Sequence, residues 1–173
     1  MSKKVHYAQG VNPLKEKYSL RDFMPLIIVT IVVTAFSVGI MFWSGEGFHM
    51  FMRMFMAAFF LIFGGLKLLK LSHFATAYRK YDLIAKYSRF YAFAYPFMEI
   101  GLGLAYLANF MPFMTNLVTF ILMTVGATGV LGVLIRGEKI QCACMGAVFK
   151  IPMTGVTLGE NALMAGMALM MLI

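Results

Sequence analysis

Charge is scarce in this chain. Lys, Arg, Asp and Glu make up 13% of its 173 residues, against about a quarter in ordinary globular domains. Histidine is nearly as scarce: His6, His49 and His73 stand alone, so no histidine-based metal set is expected. The sequence holds no Gly-x-x-x-x-Gly-Lys phosphate loop, no His-Glu-x-x-His pair and no Gly-x-Ser-x-Gly elbow. It therefore lacks the fingerprints of nucleotide hydrolases, zinc peptidases and α/β-hydrolases. Ten-residue stretches of alternating polarity are missing too, which excludes a membrane β-barrel. Cysteine occurs only at Cys142 and Cys144.

What remains is apolar. Hydrophobic residues reach 61% and mean hydropathy is +0.82, the composition of a polytopic membrane protein with no room for a separate soluble domain. Crossing the hydrocarbon layer takes about 20 apolar residues, and five runs qualify: 24–43, 50–69, 90–108, 113–135 and 154–173. Unpaired backbone is not tolerated in lipid, so the runs are expected to be helices. The fold class is all-α, a polytopic membrane helix bundle. Residues 1–23 read as a basic tail, and the bulky Ile40-Met41-Phe42-Trp43 closing the first run reads as an uncleaved anchor rather than a signal peptide.

Fourteen of the fifteen basic residues fall in three alternate segments: the tail, the stretch from Lys67 to Arg89, and the stretch from Arg136 to Lys150. Arg53 is the exception. The positive-inside rule then expects a cytoplasmic N-terminus, an external C-terminus and a cytoplasmic cysteine loop in a bacterial-type inner membrane. The net charge of +8 fits anionic headgroups of the lipid bilayer, and no nucleic-acid partner is expected. Between the second and third runs, Phe74, Ala77, Tyr78, Tyr81, Ile84 and Ala85 recur at helical spacing. They predict an amphipathic interfacial helix over about 72–89.

Chemistry concentrates in few places. Cys142 and Cys144, one residue apart in a polar loop over 136–153, suit either of two tasks. As thiolates they can exchange electrons as a dithiol/disulfide pair, or they can hold a soft metal, Cu(I) or Hg(II). A ring closed between residues i and i+2 is strained, which favours a transient redox couple over a structural staple. Lys139 and Lys150 favour the thiolate in both cases. Glu99, deep in the third run, needs a partner, and Lys67 at similar depth in the second is the expected one, as an intramembrane structural pair or a proton-handling site. Glu160, early in the fifth run, can meet Arg136 or Lys139 or approach a bound cation. Seventeen methionines, including Met164, Met167, Met170 and Met171, read chiefly as packing, with thioether passage of Cu(I) as the alternative.

Taken in order, Gly64-Gly65-Leu66-Lys67, Phe74, Tyr81, Pro96-Phe97-Met98-Glu99-Ile100-Gly101-Leu102-Gly103, Arg136-Gly137 and Cys142-Ala143-Cys144-Met145-Gly146 resemble the MauE/DoxX group of membrane proteins. The resemblance covers 50–173 as a four-helix domain. It leaves the run at 24–43 as an extra N-terminal transmembrane helix. It implies a thiol-redox accessory role in the maturation of a disulfide-rich partner, alongside a thioredoxin-like protein. The cysteine loop is also similar to a branch whose relatives carry a heavy-metal-associated domain, which here would be a separate protein. Ala143 stands where that group usually has Gly, and Glu160-Asn161 where an Arg-Asn pair is common, which adds negative charge beside the loop.

The expected function is therefore that of a membrane thiol-redox accessory protein using Cys142 and Cys144. The alternatives are soft-metal transport or delivery through the same thiolates with Glu160, and a non-catalytic assembly subunit. No organic cofactor site is visible, so at most a thiol–disulfide exchange component is expected rather than an independent enzyme.

Overall fold

The computed structural model describes residues 20–136 and 155–173. Among them it forms six helices and no strand: α1 (Leu20–Ser44), α2 (Phe48–Leu69), α3 (Leu71–Tyr78), α4 (Arg89–Leu107), α5 (Pro112–Arg136) and α6 (Gly155–Met170). Four of these, α1, α2, α4 and α5, are long and apolar enough to cross a membrane. The chain is an all-α, multi-pass membrane bundle. The expected fifth run is helical for 16 residues, roughly 24 Å at 1.5 Å per residue, and ends in a turn at Met171–Leu172. The tail ahead of Leu20 and the cysteine loop lie outside the described residues.

Each long helix buries one stripe at spacings of three and four residues, as an amphipathic helix must. On α2 the stripe is Met52, Met56, Phe60, Phe63 and Lys67; on α4 it is Ala92, Tyr95, Glu99, Leu102 and Tyr106. The two stripes face each other antiparallel, with Phe60 stacked against Tyr106 at one level and Lys67 against Glu99 at another. Gly64 allows the close approach. A Cβ there would lie 2.9 Å from the Ile100 side chain and 3.3 Å from the Pro96 carbonyl. Helices α5 and α6 form a second antiparallel pair, with Gly126 opposite Asn161 and Asn116 reaching the Met171 carbonyl. Met164 and Met167 are buried between them, whereas Met170 is exposed. Helix α1 packs on α2 through Leu26 and Val33 and turns most of its apolar surface outward.

The segment after α2 departs from the expected continuous helix over 72–89. α3 stops at Tyr78, and residues 79–88 run as turns. Asp82 is the cause. Its Oδ1 accepts from the backbone N–H groups of Ile84 and Ala85 at 2.9 and 2.8 Å, while its Oδ2 accepts from the Tyr78 hydroxyl at 2.8 Å. Side-chain capture of backbone donors competes with helix extension. Phe74, Tyr78, Tyr81 and Ala85 are buried in the bundle, and only Ile84 of the expected face is largely exposed. Gly129 on α5 receives the turn, since a Cβ there would sit 2.8 Å from the Tyr81 carbonyl oxygen and 3.3 Å from Asp82 Cα.

Candidate functional site

Lys67 and Glu99 each occupy a position on a buried stripe, so the antiparallel crossing of α2 and α4 carries both charges inward together. Their side chains meet at Nζ–Oε1 2.5 Å and Nζ–Oε2 2.6 Å, with Lys67 5% and Glu99 2% exposed. The ammonium also lies over two rings, 5.4 Å from the Phe74 centroid and 5.0 Å from that of Tyr95. Ring faces attract a cation most strongly where water is excluded. The carboxylate and two π-faces thus replace the hydration that Lys67 gives up.

Beyond the pair lies a tyrosine cluster. Tyr78 and Tyr95 are 4.6 Å apart between centroids, and Tyr91 sits 6.1 Å from Tyr95 and 6.4 Å from Tyr78. Tyr78 donates to Asp82, so the cluster runs from one buried carboxylate, Glu99, to another, Asp82. Burial pushes the Tyr78 phenol well above its ordinary value, helped by Tyr95 and the negative charge of Asp82.

A cavity of about 30 Å³ opens beside the pair, roughly the volume one water molecule occupies in the liquid. Its polar lining is Lys67, Glu99, Tyr78 and Tyr95 with Thr157, Glu160 and Asn161 of α6, and Phe59, Phe63, Phe74 and Met123 line the rest. The structure therefore brings three of the sequence-derived candidates, Lys67, Glu99 and Glu160, around one small space. Cys142 and Cys144 lie outside the described residues. Arg136 ends α5, with its Nε donating to the Gly132 carbonyl at 3.0 Å. Among the described residues, no group of three or more His, Cys, Asp or Glu side chains is placed to hold a metal ion.

Sequence reasoning missed Asp82, Tyr95, Thr157 and Asn161. One signal was available: five of the eight tyrosines fall between Tyr78 and Tyr95, around a lone acid in a basic stretch. Thr157 carried none, because single polar residues on a helix are common, and Asn161 was marked only by the Glu160-Asn161 pair in the family resemblance.

Residues 45–173 match the family model described as "Methylamine utilisation protein MauE", which leaves α1 ahead of the matched stretch. No curated protein and no solved structure matches the chain.

Proposed function

The chain belongs to the MauE family, and on that premise we propose that it is a membrane thiol-redox accessory protein whose exchanging pair is Cys142 and Cys144. In the exchange, one thiolate of the reduced pair attacks a partner's disulfide and displaces one partner thiolate. The second cysteine then resolves the mixed disulfide. Two electrons pass to the partner and the pair becomes oxidised; the reverse sequence oxidises a partner dithiol. A thioredoxin-like protein is the partner class this chemistry suits. The methylamine setting is carried by the family description alone.

One observation supports this reading above the others. The segment holding both cysteines is rooted at the end of α5 and the start of α6. The first turns of α6 supply Thr157, Glu160 and Asn161 to the cavity of the buried Lys67–Glu99 pair. A buried ion pair close in sequence to the ends of a reactive loop is the kind of support that holds such a pair in place. Lys67 and Glu99 act in this reading as a structural lock between α2 and α4. The basic links are taken to face the cytoplasm, so a reporter fused after Ile173 should be active outside and one within 79–88 inside.

The decisive test is a partner trap. With only Cys142 or only Cys144 present, a mixed disulfide should accumulate and disappear on reduction. Soft-metal delivery is the competing reading. If neither single-cysteine variant captures a partner, and the purified protein carries about one Cu(I) or Hg(II) that is lost in both Cys142→Ser and Cys144→Ser, the redox reading fails.

A further inference from the structure

Arg53 is the one basic residue outside the three basic segments. It sits five residues beyond Phe48, the start of α2, at the opposite end of the bundle from Lys67. A charged side chain held within a span demands a partner. The partners present are poor. One terminal nitrogen donates to the Met50 thioether at 3.0 Å, a weak acceptor. Nε is buried and has no hydrogen-bond partner.

No carboxylate lines its surroundings either. Arg53 borders a small recess with Tyr106, Asn109, Thr115, Asn116 and Met171. The Asn116 Oδ1 is taken by the Tyr106 hydroxyl at 2.8 Å, and its Nδ2 reaches the Met171 carbonyl only at 3.5 Å, the far limit of a hydrogen bond. The Thr115 hydroxyl donates to the Phe110 carbonyl at 2.8 Å. The mouth thus presents a guanidinium with capacity to spare, and the links at this end, 45–47 and 108–111, hold a single acid, Glu46, which is exposed. Such a donor-rich, acid-poor mouth is complementary to an anion.

We propose that Arg53 binds a phosphate group at this end of the bundle. The planar fork of arginine matches phosphate oxygens two at a time. The recess behind it is about 10 Å³, no more than one water can fill, so the phosphate sits at the mouth. Arg53 lies roughly 7–8 Å along the helix from its start, within snorkelling distance of a headgroup. A phospholipid headgroup is therefore the source in the membrane, with free phosphate sharing the same chemistry.

The test uses the full chain, purified and delipidated in detergent, with phosphatidylglycerol, diacylglycerol as the phosphate-free analogue, and inorganic phosphate as probes. Native mass spectrometry counts retained lipid, and thermal unfolding reads stabilisation. The wild type should retain one more phosphatidylglycerol than Arg53→Gln, and diacylglycerol should show no such difference. Arg53→Lys, which keeps the charge and loses the fork, should bind at least several-fold more weakly. It also serves as the test variant if Arg53→Gln fails to fold. Stabilisation by inorganic phosphate that depends on Arg53 extends the site to the free anion, whereas an effect of phosphatidylglycerol alone assigns it to the headgroup. Equal retention of phosphatidylglycerol by the wild type and the folded variants, or equal retention of diacylglycerol and phosphatidylglycerol by the wild type, overturns the proposal.

Discussion

Two spaces in this bundle differ in size and in character. The groove between α1 and α2 measures about 380 Å³ and is walled by Val32, Val33, Phe36, Met54, Ala57, Ala58, Leu61, Ile62 and Leu107, all apolar. The cavity beside Lys67 is about 30 Å³ and sets an ammonium, two carboxylates, an amide and several hydroxyls among the rings of Phe59, Phe63 and Phe74. In a soluble protein the larger space would draw attention first. In a bilayer, acyl chains are as apolar as leucine and fill such grooves at little cost. Polar groups in the same medium have no solvent to fall back on, so each must be matched by the fold itself. The smaller space is where stability is concentrated and where a substitution should matter.

The largest expected effect tests that contrast directly. Glu99→Ala strands the Lys67 ammonium and should cost about 3–5 kcal/mol of stability in detergent unfolding, while the double change Glu99→Leu with Lys67→Met should recover most of it. Equal damage from both would show that Glu99 does more than lock α2 to α4.

Asp82 comes next. Asp82→Ala leaves the Tyr78 hydroxyl and two backbone N–H groups without their acceptor. It should cost about 1–3 kcal/mol, with faster hydrogen exchange at Ile84 and Ala85. Alkaline titration reads the same corner. The Tyr78 phenol is held above its ordinary value of 10 by burial, so the folded state favours its neutral form. That contribution is complete below pH 10 and is lost as pH rises through the folded value. Unfolding experiments at increasing alkaline pH should show the decline, and it should be shallower in Tyr78→Phe.

Two glycines sharpen the comparison further. Gly129→Ala drives a methyl into the backbone at Tyr81 and should destabilise by about 1–3 kcal/mol. Gly65→Ala, where nothing lies within 4 Å of an added Cβ, should be neutral or slightly stabilising. The smallest effect is expected in the groove: Ala58→Leu should stay within about 0.5 kcal/mol of the wild type. A large loss there would mean that the groove is not simply lipid-filled.

Much of this architecture is legible in the residues. Twenty-residue apolar runs become helices because lipid permits little else, and Met24–Ser44, Phe48–Leu69, Arg89–Leu107 and Pro112–Arg136 begin and end close to where hydropathy and charge change. The charges Arg53, Lys67 and Glu99 could be named as well, because an ionised side chain in an apolar run stands out whatever its neighbours. The helix drawn through 72–89 was misread for a definite reason. Its 3.6-residue pattern is real, but Asp82 offers the backbone a competing acceptor, and no periodicity reports that competition.

Sequence by itself determined the membrane class, the helical runs, the asymmetric distribution of basic residues and the presence of Lys67, Glu99 and Glu160 as charges requiring explanation. These are local properties, set by the transfer cost of each side chain into lipid. The pairing of Lys67 with Glu99 could be expected from their depths, but only the tertiary structure decided that Glu160 shares their cavity from a helix more than sixty residues away in sequence, that Tyr78, Tyr91 and Tyr95 gather between Glu99 and Asp82, and that Arg53 keeps a buried nitrogen without a partner. Those facts depend on which glycines let which backbones approach. Gly64 against Pro96 and Gly129 against Tyr81 are contacts between distant segments, and steric fit between distant segments leaves no mark on the sequence around either one.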